Sequence, residues 1–120
     1  MLTVTKRFEF AYAHFLPEYD GNCRSLHGHN GVLEVEVSDS PGSEVVYPTM
    51  VCDFGVLKKI VKENVIDVLD HTDLNLIFKH PTAETMTRWI WEQLEIAFGE
   101  SLVRVRVYET SDSYAEFKGE

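Results

Sequence analysis

His27-Gly28-His29 sets two imidazoles two residues apart, and on extended backbone both project to the same side. Gly28 leaves room between them for a backbone close to an ion. His14 comes just after a stretch that alternates like a strand, and that strand should run antiparallel to the one following His29. Its end then lies near the residues that precede the second strand. Three neutral imidazoles match the ligand set of a catalytic zinc, which keeps a fourth position for water or substrate. Three unrelated loop histidines are the alternative, and His-x-His alone does not separate the two. The arrival of His14 at the same end of the hairpin favours the metal.

Other residues could move protons or hold a ligand. Cys23 sits beside Arg24, four residues before His27. A thiol near a dication and a guanidinium should ionise readily, and it could be a fourth ligand, a nucleophile or a general base. An inert buried thiol is the alternative, against which the polar run Asp20 to Ser25 argues. Asp70-His71 could be a carboxylate orienting an acid/base imidazole. Adjacent residues need not bond to each other, however, and a His at a helix C-terminus often just meets the dipole; alone, the pair favours that plainer role. Glu109 ends a strand whose other inward residues are Val103, Val105 and Val107. A carboxylate on an apolar row is costly unless paired, and an amidine-like N–H pair on a ligand would suit it. A frayed, solvated strand end is the alternative. His80, in a loop before Pro81, and Asp53, a helix cap, are assigned to structure, and Cys52 in Met50-Val51-Cys52 to the core.

The elements that must position these groups are legible from periodicity. Val4, Phe8, Phe10 and Tyr12 share one parity of a strand from about Leu2 to Tyr12. A second strand spans Val32 to Ser38, with Leu33, Val35 and Val37 on one face and Glu34 and Glu36 on the other. Asp39-Ser40-Pro41-Gly42-Ser43 reads as a loop. Asp53 caps a helix whose apolar positions are Val56, Leu57, Ile60, Val61 and Val65. Thr82 caps a second helix with the stripe Met86, Trp89, Ile90, Leu94 and Ala97, ended by Gly99. Two closing strands follow, one alternating Val103, Val105 and Val107 with Arg104, Arg106 and Tyr108, the other from Tyr114 to Lys118. The β-β-α-α-β-β order predicts an α+β domain, an antiparallel sheet with both helices on one face. No Gly-rich phosphate loop is present.

Composition bounds the function. The 120 residues fit one domain, with 44% hydrophobic and 26% charged residues. A chain of this size does not easily enclose a deep cavity, which points to a site shared between subunits. A formal net charge of −9 without any basic run argues against nucleic acid or an anionic membrane as partner. No stretch is apolar enough to span a bilayer, and the N-terminus lacks signal-peptide features, so a cytoplasmic protein is expected. Two cysteines make no disulfide framework.

Taken in order, the motifs resemble the 6-pyruvoyltetrahydropterin synthase and 6-carboxytetrahydropterin synthase family over nearly the whole chain. Phe10-Ala11-Tyr12-Ala13-His14 looks like its first zinc-ligand strand, and Cys23-Arg24-Ser25-Leu26-His27-Gly28-His29-Asn30 like its Cys-spacer-His-Gly-His signature. Asp53-Phe54 with Leu57-Lys58, Leu69 to Asn75, Pro81 to Glu84, and Glu109-Thr110 follow in the family's order. The resemblance implies the tunnelling fold, a homohexamer of two stacked trimers with sites between subunits. It implies zinc on His14, His27 and His29, with Cys23 as general base and Asp70 with His71 as proton relay. Glu109, with Thr110, would bind the pterin's amino-pyrimidine edge. The substrate would be 7,8-dihydroneopterin triphosphate, whose side-chain hydroxyls zinc would acidify. The three-residue spacer between Cys23 and His27 looks like the 6-carboxytetrahydropterin synthase type, which releases triphosphate and acetaldehyde and feeds queuosine-type deazapurine synthesis. A 6-pyruvoyltetrahydropterin synthase and a non-catalytic zinc- or pterin-binding oligomer are the rival expectations. Tyr12 stands where the family usually has a small residue, and Gly31 where it more often has an aromatic.

Overall fold

A computed structural model describes residues 1–39 and 47–119. Strand β1, Thr3–His14, pairs antiparallel with β2, His27–Ser38, along its whole length, from Thr3 opposite Ser38 to His14 opposite His27. Both strands run further toward the histidines than their apolar alternation predicts. The reason is that His14 continues the buried row of Phe10 and Tyr12, and His27 and His29 continue that of Leu33, Val35 and Val37, with polar side chains. His-Gly-His therefore lies within β2, not ahead of it. Of the expected loop at residues 39–43, all but Asp39 falls outside the described residues.

The Asp53 carboxylate accepts from the Gly55 N–H and caps α1, Phe54–Val61. The helix continues through a π-helical stretch, Lys62–Ile66, and a last turn, Asp67–Leu69. Leu57, Val61, Val65 and Leu69 are all fully buried. Successive steps of four residues drift by about 40° each on a regular α-helix. The wider π turn absorbs part of that drift and keeps the four side chains on one line. Val56, expected in this stripe, is exposed instead, and Cys52 is half-buried against the core.

Thr82 caps α2, Ala83–Phe98, through the Thr85 N–H, and Gly99 ends the helix with φ 55°. Met86, Ile90 and Leu94 are buried completely, each contributing about 1.5–3 kcal/mol. Ala97 is exposed and Trp91 takes its place in the core, its ring 4.9 Å from that of Phe117. The partner that covers Trp91 comes from the last strand, so helical periodicity could not reveal it.

Strands β3, Thr72–Asp73, β4, Leu102–Thr110, and β5, Ser113–Phe117, complete a sheet of order β3-β1-β2-β4-β5. A bulge between Glu36 and Val37 pairs Leu102, not Val103, with the buried row. The short strand β3, Thr72–Asp73, lies parallel to β1, an addition to the otherwise antiparallel sheet. On the face away from the helices, Arg104 bonds Glu36 at 2.8 Å and Glu34 at 3.2 Å, and Arg106 bonds Glu116 at 2.6 Å. Burial would raise the Glu34 carboxyl, but hydrogen bonds from Arg7 and Arg104 bring it below its ordinary range. Arg7, Arg104 and Arg106 are thus engaged with carboxylates within the chain.

Candidate metal centre

His14, His27 and His29 meet at the end of the β1–β2 ladder, with one ligand nitrogen each within 4.8 Å of the others. Strand pairing does the placing: His14 is opposite His27, and His29 is two residues along the same face. The Nδ1 of the buried His14 ring lies 2.7 Å from the Pro81 carbonyl, and that of His27 lies 2.7 Å from the Ser25 carbonyl. A carbonyl only accepts, so both rings carry their proton on Nδ1 and turn a bare Nε2 inward. Those two Nε2 atoms face each other at 3.0 Å. Two lone pairs at that distance repel, and a cation between them removes the repulsion. The donor set therefore fits a dication that prefers nitrogen ligands.

His29 points its Nε2 at the same centre. The atom is buried, and its approach to the Glu109 carboxylate, 3.4 Å, lacks the alignment of a hydrogen bond. Burial lowers the basicity of His29, with His14 and His27 adding to the effect and Glu109 opposing it. A ring that resists protonation keeps its lone pair for a metal. Glu109 is thus beside the cluster, on the apolar parity expected of it, and Thr110 follows as an exposed strand-end residue.

Cys23 lies on a single 3-10 turn, Asn22–Arg24, and is half-buried. Its carbonyl accepts from the Leu16 N–H at 2.7 Å, tying the loop before β2 back to the end of β1. The thiol is not among the ligand atoms clustered within 4.8 Å, so the described structure gives the histidines as the ligand group without it.

Asp70 and His71 do bond to each other, Oδ2 to Nδ1 at 3.0 Å. The Asp70 Oδ1 accepts from the Ala11 N–H at 2.8 Å, and the His71 N–H donates to the Ala11 carbonyl at 2.6 Å. The Ala11 bond comes first in holding the Asp70 carboxyl below its usual range, with His71 adding to it against partial burial. His71 adopts φ 58°, a left-handed conformation uncommon for a residue with a side chain. This pair does not join the histidine cluster of its own chain. Ala11 and Ala13 alternate with Tyr12 and His14, and so belong to the opposite sheet face. The His71 side chain, 82% exposed, lines a groove of about 420 Å³ on that face with Ala11, Ala13, Gly28, Asn30 and Asp73.

The family model for 6-pyruvoyl tetrahydropterin synthase matches residues 3–120. The chain belongs to this family. It is 31% identical over 140 residues to 6-carboxy-5,6,7,8-tetrahydropterin synthase of Haemophilus influenzae, covering 98% of this chain and 99% of the relative. It is 40% identical over 123 residues to the protein of the same name from Synechocystis sp., covering 98% and 93%. The solved structure of Caenorhabditis elegans 6-pyruvoyl tetrahydropterin synthase superimposes with a TM-score of 0.80 at 26% identity, covering 99% of this chain and 96% of that one. The α+β tunnelling fold is that of these synthases.

One detail of this family member was visible in the sequence only as an oddity. The Tyr12 ring stacks on Phe10 at 5.4 Å and packs against His14 at 5.3 Å and His29 at 5.5 Å. It fills the space over Gly31, where an added Cβ would come within 3.0 Å of both the Phe10 and Tyr12 rings. Gly31→Ala should therefore cost about 1–3 kcal/mol by overpacking, measured by urea unfolding. Adding Tyr12→Ala should recover part of the Gly31→Ala loss; a neutral Gly31→Ala would show the contact to be loose.

Proposed function

We propose that the protein is a zinc-dependent lyase converting 7,8-dihydroneopterin triphosphate and one water to 6-carboxy-5,6,7,8-tetrahydropterin, with release of triphosphate and acetaldehyde. The observation that carries the metal is the 3.0 Å approach of two bare Nε2 atoms on His14 and His27, with His29 beside them. Zinc held there supplies Lewis acidity toward the substrate's side-chain oxygens. The remaining steps belong to the chain's own groups. Glu109 accepts paired N–H bonds from the pterin's amino-pyrimidine edge, with Thr110 at its side. Cys23 removes a proton from the substrate side chain as general base, and His71, oriented by Asp70, gives or takes the second proton. The order of the carboxy- over the pyruvoyl-forming reading rests on the names of the two relatives above and on the three-residue spacer from Cys23 to His27.

Because His71 faces away from its own chain's histidines, a complete site needs the relay of a neighbouring copy. The sheet allows this: among the described residues, β5 has a partner on one side only, and β1 is covered on its outer side by the two residues of β3. A homohexamer of two trimers is the assembly we infer, acting in the cytoplasm on the route to queuosine-type deazapurines. No helix among the described residues is long and apolar enough to cross a membrane.

Incubation of the zinc-loaded protein with 7,8-dihydroneopterin triphosphate, followed by mass spectrometry, tests the reading. The expected product is 6-carboxytetrahydropterin with one acetaldehyde per turnover. A pyruvoyl product retaining all side-chain carbons would reassign the reaction, and binding without turnover would leave a non-catalytic oligomer.

A further inference from the structure

The Tyr12 hydroxyl is the second buried side-chain polar atom, with His29 Nε2, that has no hydrogen-bond partner among the described residues. A buried phenol without a partner forfeits the hydrogen bond it had with water, so the fold tolerates a cost at this point. The ring shows where the hydroxyl is aimed. Tyr12 is opposite His29, and its Cε1 edge passes over Gly31, the next inward position of β2. Val32 pairs with Tyr108 of β4, so Gly31 is followed across the ladder by Glu109. The phenol therefore crosses β2 from β1 toward the carboxylate. The charge of Glu109 is felt at the hydroxyl, reinforcing the effect of burial on it.

We propose that Tyr12 is a positioning residue for Glu109: its hydroxyl donates to one carboxylate oxygen when that carboxylate turns away from His29 to hold a ligand. In the structure described, Glu109 leans toward His29 at 3.4 Å. Once His29 commits its nitrogen to a metal, it has no proton to offer Glu109, and by strand register the phenol is a donor on the carboxylate's own side of the core. A bond from below fixes the plane of the carboxylate and leaves its outward lone pairs for paired N–H groups. Only a glycine at position 31 leaves the path over β2 open. This inference rests on the reading of Glu109 as the pterin-binding carboxylate.

The test uses neopterin, an oxidised pterin, as binding probe on zinc-loaded protein, with zinc content measured in parallel. Tyr12→Phe should weaken neopterin about tenfold with zinc stoichiometry unchanged, and should raise KM for the triphosphate substrate more than it lowers kcat. Combined with Glu109→Gln, the Tyr12→Phe effect should shrink, because the amide oxygen that remains is a weaker acceptor than the carboxylate. Equal neopterin affinity in wild type and Tyr12→Phe overturns the inference, as does a loss of zinc in that variant, which would place the phenol's role at the histidines. No neopterin binding by wild type would instead refute the pterin reading beneath it.

Discussion

His27→Ala should lose bound zinc and turnover together while keeping the fold. The ring is only partly buried, and outside the histidine cluster its bond among the described residues is local, from Nδ1 to the Ser25 carbonyl two residues away. Truncation therefore removes little packing. It does remove one of three nitrogen ligands. Changes to groups that merely support a ligand cost about 10–100-fold in metal affinity or activity, so loss of a ligand itself should exceed about a hundredfold. Metal analysis of dialysed protein should fall from one zinc per chain to near none, with an unchanged far-ultraviolet circular dichroism spectrum. His14→Ala should do the same and also lower stability by about 1–3 kcal/mol, because its ring is buried and its loss strands the Pro81 carbonyl. Zinc retained at one equivalent in His27→Ala would refute the three-histidine site.

That contrast also shows which features a sequence can carry. The clustering of His27 and His29 was legible because strand alternation is local, and that of His14 because a hairpin brings the ends of its two strands together. The caps Asp53 and Thr82 were legible for the same reason, each bond closing within three residues. The support beneath the histidines was not. Nothing near Pro81 in the chain marks its carbonyl as the acceptor for His14, since their meeting depends on α2 docking against the end of β1. Asp70-His71 is the sharper case. As adjacent residues they suggested little more than a helix end, and their pairing is imposed by two backbone bonds to Ala11 and a left-handed His71. Trp91 and Leu102 were misplaced in favour of Ala97 and Val103 because a distant strand and a bulge set their burial. The resemblance to a family gave their order and suggested roles for them, but the sheet face on which each group falls came from the fold.

Mixing two inactive variants should restore activity, and the sheet faces say by how much. Glu109 lies beside the three histidines of its own chain, whereas His71 lies on the opposite face. If each site takes its metal and Glu109 from one copy and its relay from a neighbour, Glu109→Ala and His71→Ala damage different chains of that site. Each variant alone should lose about 10²–10⁴-fold in turnover, the scale of a lost acid/base group or of a lost paired carboxylate contact. In a randomly assorted mixture, a site is whole when its Glu109 comes from the His71→Ala chain and its His71 from the Glu109→Ala chain. Each condition holds for half the chains, so about a quarter of the sites should work. Co-expression of the two variants and assay of the purified oligomers measures this directly. If instead one chain supplied both groups, every site would carry one lesion and the mixture would stay as inactive as its parents. Recovery near a quarter therefore requires a site shared between copies.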